Sequence, residues 1–154
     1  KYLTQTVTVG SKLRYEHLQE WLIWDAGVEQ LGLYQAESYY VDVRLDWYPS
    51  SRQEVRLKFQ WSGIDATILD GYQLDNSGKL ISSGTPSSNF SVSDTAMQLR
   101  YRFELAPLSD IFLVYSRGGA FGTESGDEGP KTLLNEGWQG LQVESLILKI
   151  RYRM

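Results

Sequence analysis

The sequence predicts an all-β fold, an antiparallel up-and-down meander of about seven strands. Apolar and polar residues alternate along most of the chain, which is the pattern of a strand with two different faces. Two tight breaks that contain proline, at 49–52 and 106–109, separate pairs of alternating runs. Helical periodicity is hard to find in the sequence. Together these observations indicate consecutive strands joined by hairpins.

The first two predicted strands, 2–12 and 18–29, are the least regular. The second still places Trp24 and Val28 on one face, at an even spacing along the strand. His17 lies between them as the chain's one histidine, with no cysteine to join it. We therefore expect His17 to be a turn or interface residue, because a catalytic or zinc role would need partner residues.

The third and fourth predicted strands, 39–48 and 53–63, alternate strictly. Their odd positions are mainly apolar or aromatic and most even positions are polar or charged. Pro49 suits the break between them, because proline fixes φ and its missing N–H needs no ladder partner. This pair predicts a β-hairpin.

The last three predicted strands are 95–105, 110–117 and 142–154. Pro107 separates the first two in the same way as Pro49. The final strand alternates to the chain end and carries Tyr152 near its last residue. An amphipathic terminal strand of this kind is common in outer-membrane barrels.

Two segments rich in glycine, serine and acidic residues, 64–94 and 118–140, predict long loops. Inside the first, the sequence at 76–78 is Asn-Ser-Gly, which predicts a small hairpin turn. Short turns alternating with long loops are typical of bacterial outer-membrane barrels. A soluble sandwich also has one apolar and one polar face, so the loop rhythm is what favours the membrane fold.

The strand count predicts where the chain belongs in such a barrel. Seven strands place both proline turns in the periplasm and Lys1 on the outer side. A complete single-chain bacterial barrel has an even number of strands. The odd count therefore predicts that residues 1–154 are a single barrel segment, the C-terminal part of a longer barrel.

Composition narrows the possible functions. The chain of 154 residues has a net charge of −4 and a pI of about 5.0, so no general attraction to nucleic acid is expected. The absence of cysteine excludes disulfides and thiolate metal sites. No apolar run is long enough for a transmembrane helix, whereas a spanning strand needs only about 9–11 residues.

The polar face of the alternating strands carries the candidate site. If it lines a wet lumen, its charges either favour anionic solutes or neutralise one another. The predicted lumen-lining residues are Asp42, Arg44, Asp46, Arg56, Lys58, Arg100, Arg102, Glu104, Lys149 and Arg151. On the apolar face, an aromatic girdle at the membrane interface is predicted from Trp47, Trp61, Tyr101 and Tyr152.

No catalytic residue, metal ligand or cofactor is predicted. Asp42 and Asp46 resemble a glycosidase pair, but Arg56 and Lys58 should face them across the hairpin. A ladder of opposite charges is the expected arrangement. The acidic residues of the loops lack the spacing of a calcium-binding loop.

Two segments carry a resemblance to a protein family. They are LRYRFELAPLSDIFLVYSRGG at 99–119 and WYPSSRQEVRLKFQWSGI at 47–64. They resemble an uncharacterised Gram-negative family with a periplasmic carbohydrate-binding module, similar to family 9, followed by a C-terminal outer-membrane barrel. The match covers most of the chain and falls in the barrel part. It implies no catalytic residues and no sugar site here.

The function expected is that of an outer-membrane β-barrel in a Gram-negative bacterium, acting as a pore or a membrane anchor without catalysis. Its expected partners are outer-membrane lipid, the missing N-terminal part of the same protein and a saccharide or anionic solute. The alternative is a soluble antiparallel β-barrel or sandwich that binds carbohydrate or a small ligand through its aromatic residues.

Overall fold

A computed structural model describes residues 6–25, 30–83 and 88–153. It confirms an all-β fold built on a seven-stranded antiparallel sheet. The elements are β1 (Thr6–Asp25), β2 (Gln30–Ser50), β3 (Gln53–Leu74), β4 (Leu80–Ser82), β5 (Phe90–Ala106), β6 (Ser109–Thr123), α1 (Pro130–Gln139) and β7 (Leu141–Arg151). The sheet order is β1-β2-β3-β5-β6-β7, and the short β4 pairs with β3 beside this path. The sheet is therefore an up-and-down meander of six long strands and one short one.

The seven strands are not the seven that the sequence predicts. The predicted strands 2–12 and 18–29 are parts of one continuous strand, β1, whose register shifts between Leu18 and Trp21. A bulge of this kind changes the phase of the side chains without ending the strand, so alternation breaks where pairing continues. Residues 1–5 and 26–29 of these predictions lie outside the described part.

The direction of β1 corrects the predicted topology. Thr6 pairs with Tyr48, next to the Pro49 turn, and Trp24 pairs with Leu31 at the far end of β2. The first described strand thus starts at the proline turns and runs away from them, opposite to the prediction. The predicted count of about seven strands is confirmed, but the seven are six long strands and the short β4. Lys1 itself lies outside the described residues.

The strands extend well into the predicted loops. β3 continues to Leu74, β5 begins at Phe90 and β6 continues to Thr123. With 22 residues, β3 is roughly 70 Å long at about 3.3 Å per residue. Several of the residues that predict loops, such as Asp70, Ser93 and Gly119, are here paired strand residues.

The predicted turns are confirmed. Ser50 pairs with Gln53, and Ala106 pairs with Ser109 around a two-residue turn. Leu108 in that turn has φ of 66°, the left-handed conformation that glycine usually supplies. We call the end of the sheet that carries these turns the turn side, and the end that carries α1 the loop side.

The hairpin predicted around 76–78 is also present. It joins β3 to β4, with Leu74 opposite Leu80. The Asp75 carboxylate accepts hydrogen bonds from the amides of Ser77 and Lys79 at 2.8 and 2.9 Å. Gly78 has φ of 80°, which its lack of a Cβ allows.

The helix α1 was not predicted. It begins at Pro130, a favourable first helical position, and packs on the face of the sheet that carries the odd-numbered residues of β3, β5 and β6. Leu133 and Gly137 are its buried residues. Among the described residues, no helix is both long and apolar enough to cross a membrane.

The described core is small and lies at the loop side. Tyr34, Ala36 and Ala66 are buried together. Partly buried apolar side chains pack around them: Leu18, Trp21, Ile23, Ile64, Ile68 and Phe90. This core lies on the face opposite α1, so both faces of the loop-side half carry buried residues.

Candidate functional site

The strand register sorts the side chains of the turn-side half into two different faces. On one face, two consecutive rows cross all six long strands with apolar and aromatic residues alone. One row is Val9, Leu45, Leu57, Leu99, Tyr115 and Leu146, and the next is Val7, Trp47, Val55, Tyr101, Leu113 and Leu148. We call these two rows the apolar belt.

The opposite face of the same strands carries charge. Every predicted lumen-lining residue lies on it, from β2 through β7. Its central rows are Arg44–Lys58–Gln98–Ser116 and Asp46–Arg56–Arg100–Val114, and Lys149, Arg151 and Glu104 lie in the rows nearer the turns. The even-and-odd assignment made from the sequence therefore holds across the whole charged face.

Several of these charges neutralise one another. Arg44 Nε contacts Asp42 Oδ1 at 2.9 Å, and Gln60 Nε2 donates to Asp42 Oδ2 at 2.6 Å. Arg56 contacts Asp46 at 3.4 Å and also pairs with Glu54. The expected ladder is thus only partly present, because Asp42 lies opposite Gln60.

The tightest ionic cluster surrounds Asp110 at the turn side. This carboxylate is fully buried and accepts from Arg102 Nη2 at 2.8 Å and from Arg151. The cluster ties β5, β6 and β7 together where the Ala106–Ser109 turn begins. Asp110 and Glu54 were missing from the predicted set. For Asp110, the available signal was its position directly after the proline turn, opposite Glu104 in the ladder.

Three predicted lumen-lining cations, Lys58, Arg100 and Lys149, have no such partner among the described residues, because none has a carboxylate within 4.0 Å. Lys58 instead lies opposite Arg44. A cavity of about 360 Å³ opens on this face, lined by Arg44, Asp46, Arg56, Leu57, Lys58, Gln98 and Arg100. Its charged lining is mostly cationic, with Asp46 as the one carboxylate.

The four residues of the predicted aromatic girdle differ in their positions. Trp47 and Tyr101 share one row of the apolar belt, and Tyr152 lies just beyond the end of β7, 70% exposed. Trp61 is on the predicted face but only 6% exposed; its ring stacks on that of Tyr39, with centroids 6.0 Å apart, and its indole donates to Ser93 Oγ at 2.9 Å. Its predicted place in an exposed girdle is therefore wrong.

Other aromatic residues stand toward the loop side of the belt. The rings of Tyr15 and Tyr39 lie 5.4 Å apart. Trp138 of α1 lies 6.4 Å from Phe59. From Trp47 to Tyr39 the strand rises about 26 Å. One set of aromatic residues thus lies within the apolar belt, and a second set lies on its loop side.

No group of three or more histidine, aspartate and glutamate residues among the described residues is placed to hold a metal ion. His17 lies within β1 and not at the predicted turn, and its ring is 3.5 Å from Gln35 Nε2.

Comparisons of the chain with protein-family models, curated proteins and solved structures gave no match. The resemblance to a Gram-negative barrel family stays a prediction.

Proposed function

We propose that this chain forms part of the wall of an outer-membrane β-barrel in a Gram-negative bacterium, acting as a pore or a membrane anchor without catalysis. The observation that carries the proposal is the apolar belt in register across six strands, directly behind a charged face. A barrel wall needs this combination, because lipid touches one face and water the other.

The exposure of the belt supports lipid contact. Leu99 is 40% exposed and Leu146 is 68% exposed. In a soluble sandwich these side chains would be buried by a second sheet. Among the described elements, only α1 packs on this face, and it covers residues on the loop side of the belt. A contiguous apolar surface of this size marks a membrane or protein contact.

The edges of the sheet support a larger barrel. Within the described residues, β1 and β7 each pair with one neighbour only. An unpaired strand edge is costly in hydrocarbon, since each unsatisfied N–H or C=O costs several kcal/mol. Further strands, from the missing N-terminal part of the same protein, complete the wall in this proposal. Lys58 and Arg100 then favour an anionic solute in the lumen.

Membrane extraction tests the proposal. The full-length protein should fractionate with the outer membrane, require detergent for extraction and run at a different gel mobility before and after boiling. Purification from buffer as a soluble protein would contradict it. Conductance in a planar bilayer separates the two roles: current supports a pore, and an inserted but silent protein supports an anchor.

A second candidate is a soluble barrel or sandwich that binds carbohydrate or a small ligand. One observation favours it: a pocket of about 430 Å³ is lined by Phe59, Lys131, Leu134, Asn135 and Trp138. Aromatic walls of this kind suit a ligand with apolar surface. The extraction experiment decides between the candidates.

A further inference from the structure

We propose that the pocket between α1 and the sheet binds one anionic membrane lipid, with an acyl chain against Phe59 and Trp138 and a phosphate at Lys131. The inference rests on the proposed function, because it requires the apolar belt to face lipid. We call the pocket the α1 groove; its lining residues are Phe59, Lys131, Leu134, Asn135 and Trp138.

The groove has a fixed wall because α1 is held closely on the sheet. Thr95 Oγ1 donates to the carbonyl of Gly137 at 2.9 Å, and the Ala120 amide donates to the carbonyl of Gly140 at 2.8 Å. A Cβ on Gly137 would collide with the Ser93 side chain. Small residues on α1 and on the sheet thus allow the helix to approach more closely than larger side chains would permit.

The apolar part of the groove continues the apolar belt. Phe59 pairs with Val43 on β2 and with Met97 on β5. This row is the next one along the strands after the row of Leu57. An acyl chain that lies along the belt therefore reaches the groove without crossing a charged row on these three strands.

The charge of the groove is positive. Lys131, Leu134 and Trp138 follow the spacing of one helix face, so the ammonium group lies on the same side as the apolar wall. Within the described residues, Lys131 has no carboxylate within 4.0 Å. An apolar groove with one free cation is complementary to an amphiphile with an anionic head.

Arg117 fixes the tryptophan from beside the groove. Its guanidinium carbon lies 4.4 Å from the centre of the Trp138 ring, and Nη2 donates to the Trp138 carbonyl at 3.0 Å. Its Nε is buried and has no hydrogen-bond partner. The facing carboxylate, Glu144, is hydrogen-bonded by Tyr115 Oη at 2.5 Å. A carbohydrate would need more polar partners than Asn135 and these cations offer.

Fluorescence quenching by brominated lipid tests the site in the full-length protein. The protein is reconstituted in phosphatidylcholine vesicles that contain brominated phosphatidylglycerol or, separately, brominated phosphatidylcholine at the same fraction. The signal of Trp138 is the difference between the wild type and Trp138→Phe. We expect stronger quenching by phosphatidylglycerol, with Lys131→Gln lowering the relative affinity about fivefold. Lys79→Gln, in the β3–β4 hairpin, removes the same charge away from the groove and should leave it unchanged.

The outcomes separate this inference from the proposed function. A protein that inserts, yet shows equal quenching by the two lipids, would overturn the lipid site and leave the barrel intact. Equal effects of Lys131→Gln and Lys79→Gln would overturn it too, because charge alone would then explain the preference. A protein that does not insert at all would overturn the barrel and the lipid site together.

Discussion

The two halves of this sheet arrange their side chains in opposite ways. At the turn side, one face is an exposed apolar belt and the other is charged. At the loop side, the charged face gives way to the buried core of Tyr34, Ala36 and Ala66, and the belt face gives way to Ser93 and Thr95 beneath α1. The same strands therefore carry both arrangements.

This difference shows that the side chains of each half match the surroundings of that half. In the loop-side half, α1 covers one face, where small residues allow it to approach closely, and the other face carries the buried core. Among the described elements nothing covers the two rows of the turn-side belt. Under the proposed function, the turn-side half crosses the bilayer, which needs only about 9–11 residues of each strand, and the loop-side half projects from it.

The strongest test of the comparison places a charge in the belt. Leu57→Arg should destabilise the protein in vesicles by about 2–4 kcal/mol, because a guanidinium group would meet hydrocarbon near the middle of the belt. Urea unfolding of the reconstituted protein measures this. Gln98→Arg adds the same charge to the opposite face and should cost less than about 1 kcal/mol. Similar losses in both variants would show that the belt does not face lipid.

The second test removes the contact that holds α1. Leu133 is fully buried, and Leu133→Ala should destabilise the packing of α1 by about 2–4 kcal/mol, because it leaves a cavity against the sheet. Limited proteolysis of residues 124–140 should then become faster. Leu134→Ala, at an exposed neighbouring position, serves as the control and should leave proteolysis nearly unchanged. Equal protection of the two variants would contradict the packing described here.

The third test separates two arginines that the sequence makes equivalent. Arg100 has no carboxylate partner among the described residues, so Arg100→Gln should change stability by less than about 0.5 kcal/mol and lower the anion preference of a conducting pore. Arg102 binds the buried Asp110, so Arg102→Gln should destabilise the turn side as well. Reversal potentials in a salt gradient and urea unfolding measure the two effects. Cation preference in the wild type would contradict the positive face.

The smallest effect concerns the hairpin at the loop side. Hydrogen bonds from the Ser77 hydroxyl and from the amides of Lys79, Ser77 and Gly78 lower the pKa of Asp75 below its usual range. A lowered folded-state pKa means that the stabilisation is present above the unfolded value, near 3.9, and is lost as the pH falls through the folded value. Amide protection of Ser77 and Lys79, corrected for intrinsic exchange, should fall below about pH 4. Asp75→Asn should abolish this dependence, and protection that instead falls at high pH would contradict it.

The sequence was sufficient for the features that depend on local patterns. Alternation assigned the two faces correctly, because the side-chain period of a strand is two wherever the ladder is unbroken. The proline turns and the hairpin at Gly78 followed from backbone preferences of single residues. The role of the charged residues as a lumen lining remains a prediction.

The features that the sequence did not predict depend on contacts between distant segments. Trp61 looks like an interfacial residue in the sequence, but Tyr39 and Ser93, from the two neighbouring strands, pack against it. The helix itself is short and contains Gly137, which lowers its helix propensity, although Gly129-Pro130 was a usable start signal. Ser93 and Gly119 resemble loop residues because the sheet needs small side chains beneath α1. The ion pairs of Asp110 depend on register across three strands.

The direction of the edge strands imposes a parity on any closed assembly. β1 runs from the turn side to the loop side and β7 runs back, so the two edges are antiparallel to one another. A ring in which every neighbour is antiparallel must therefore insert an even number of strands between them. Copies joined edge to edge around a common axis satisfy the same rule at every junction. A ring completed by an odd number of strands would need one parallel seam.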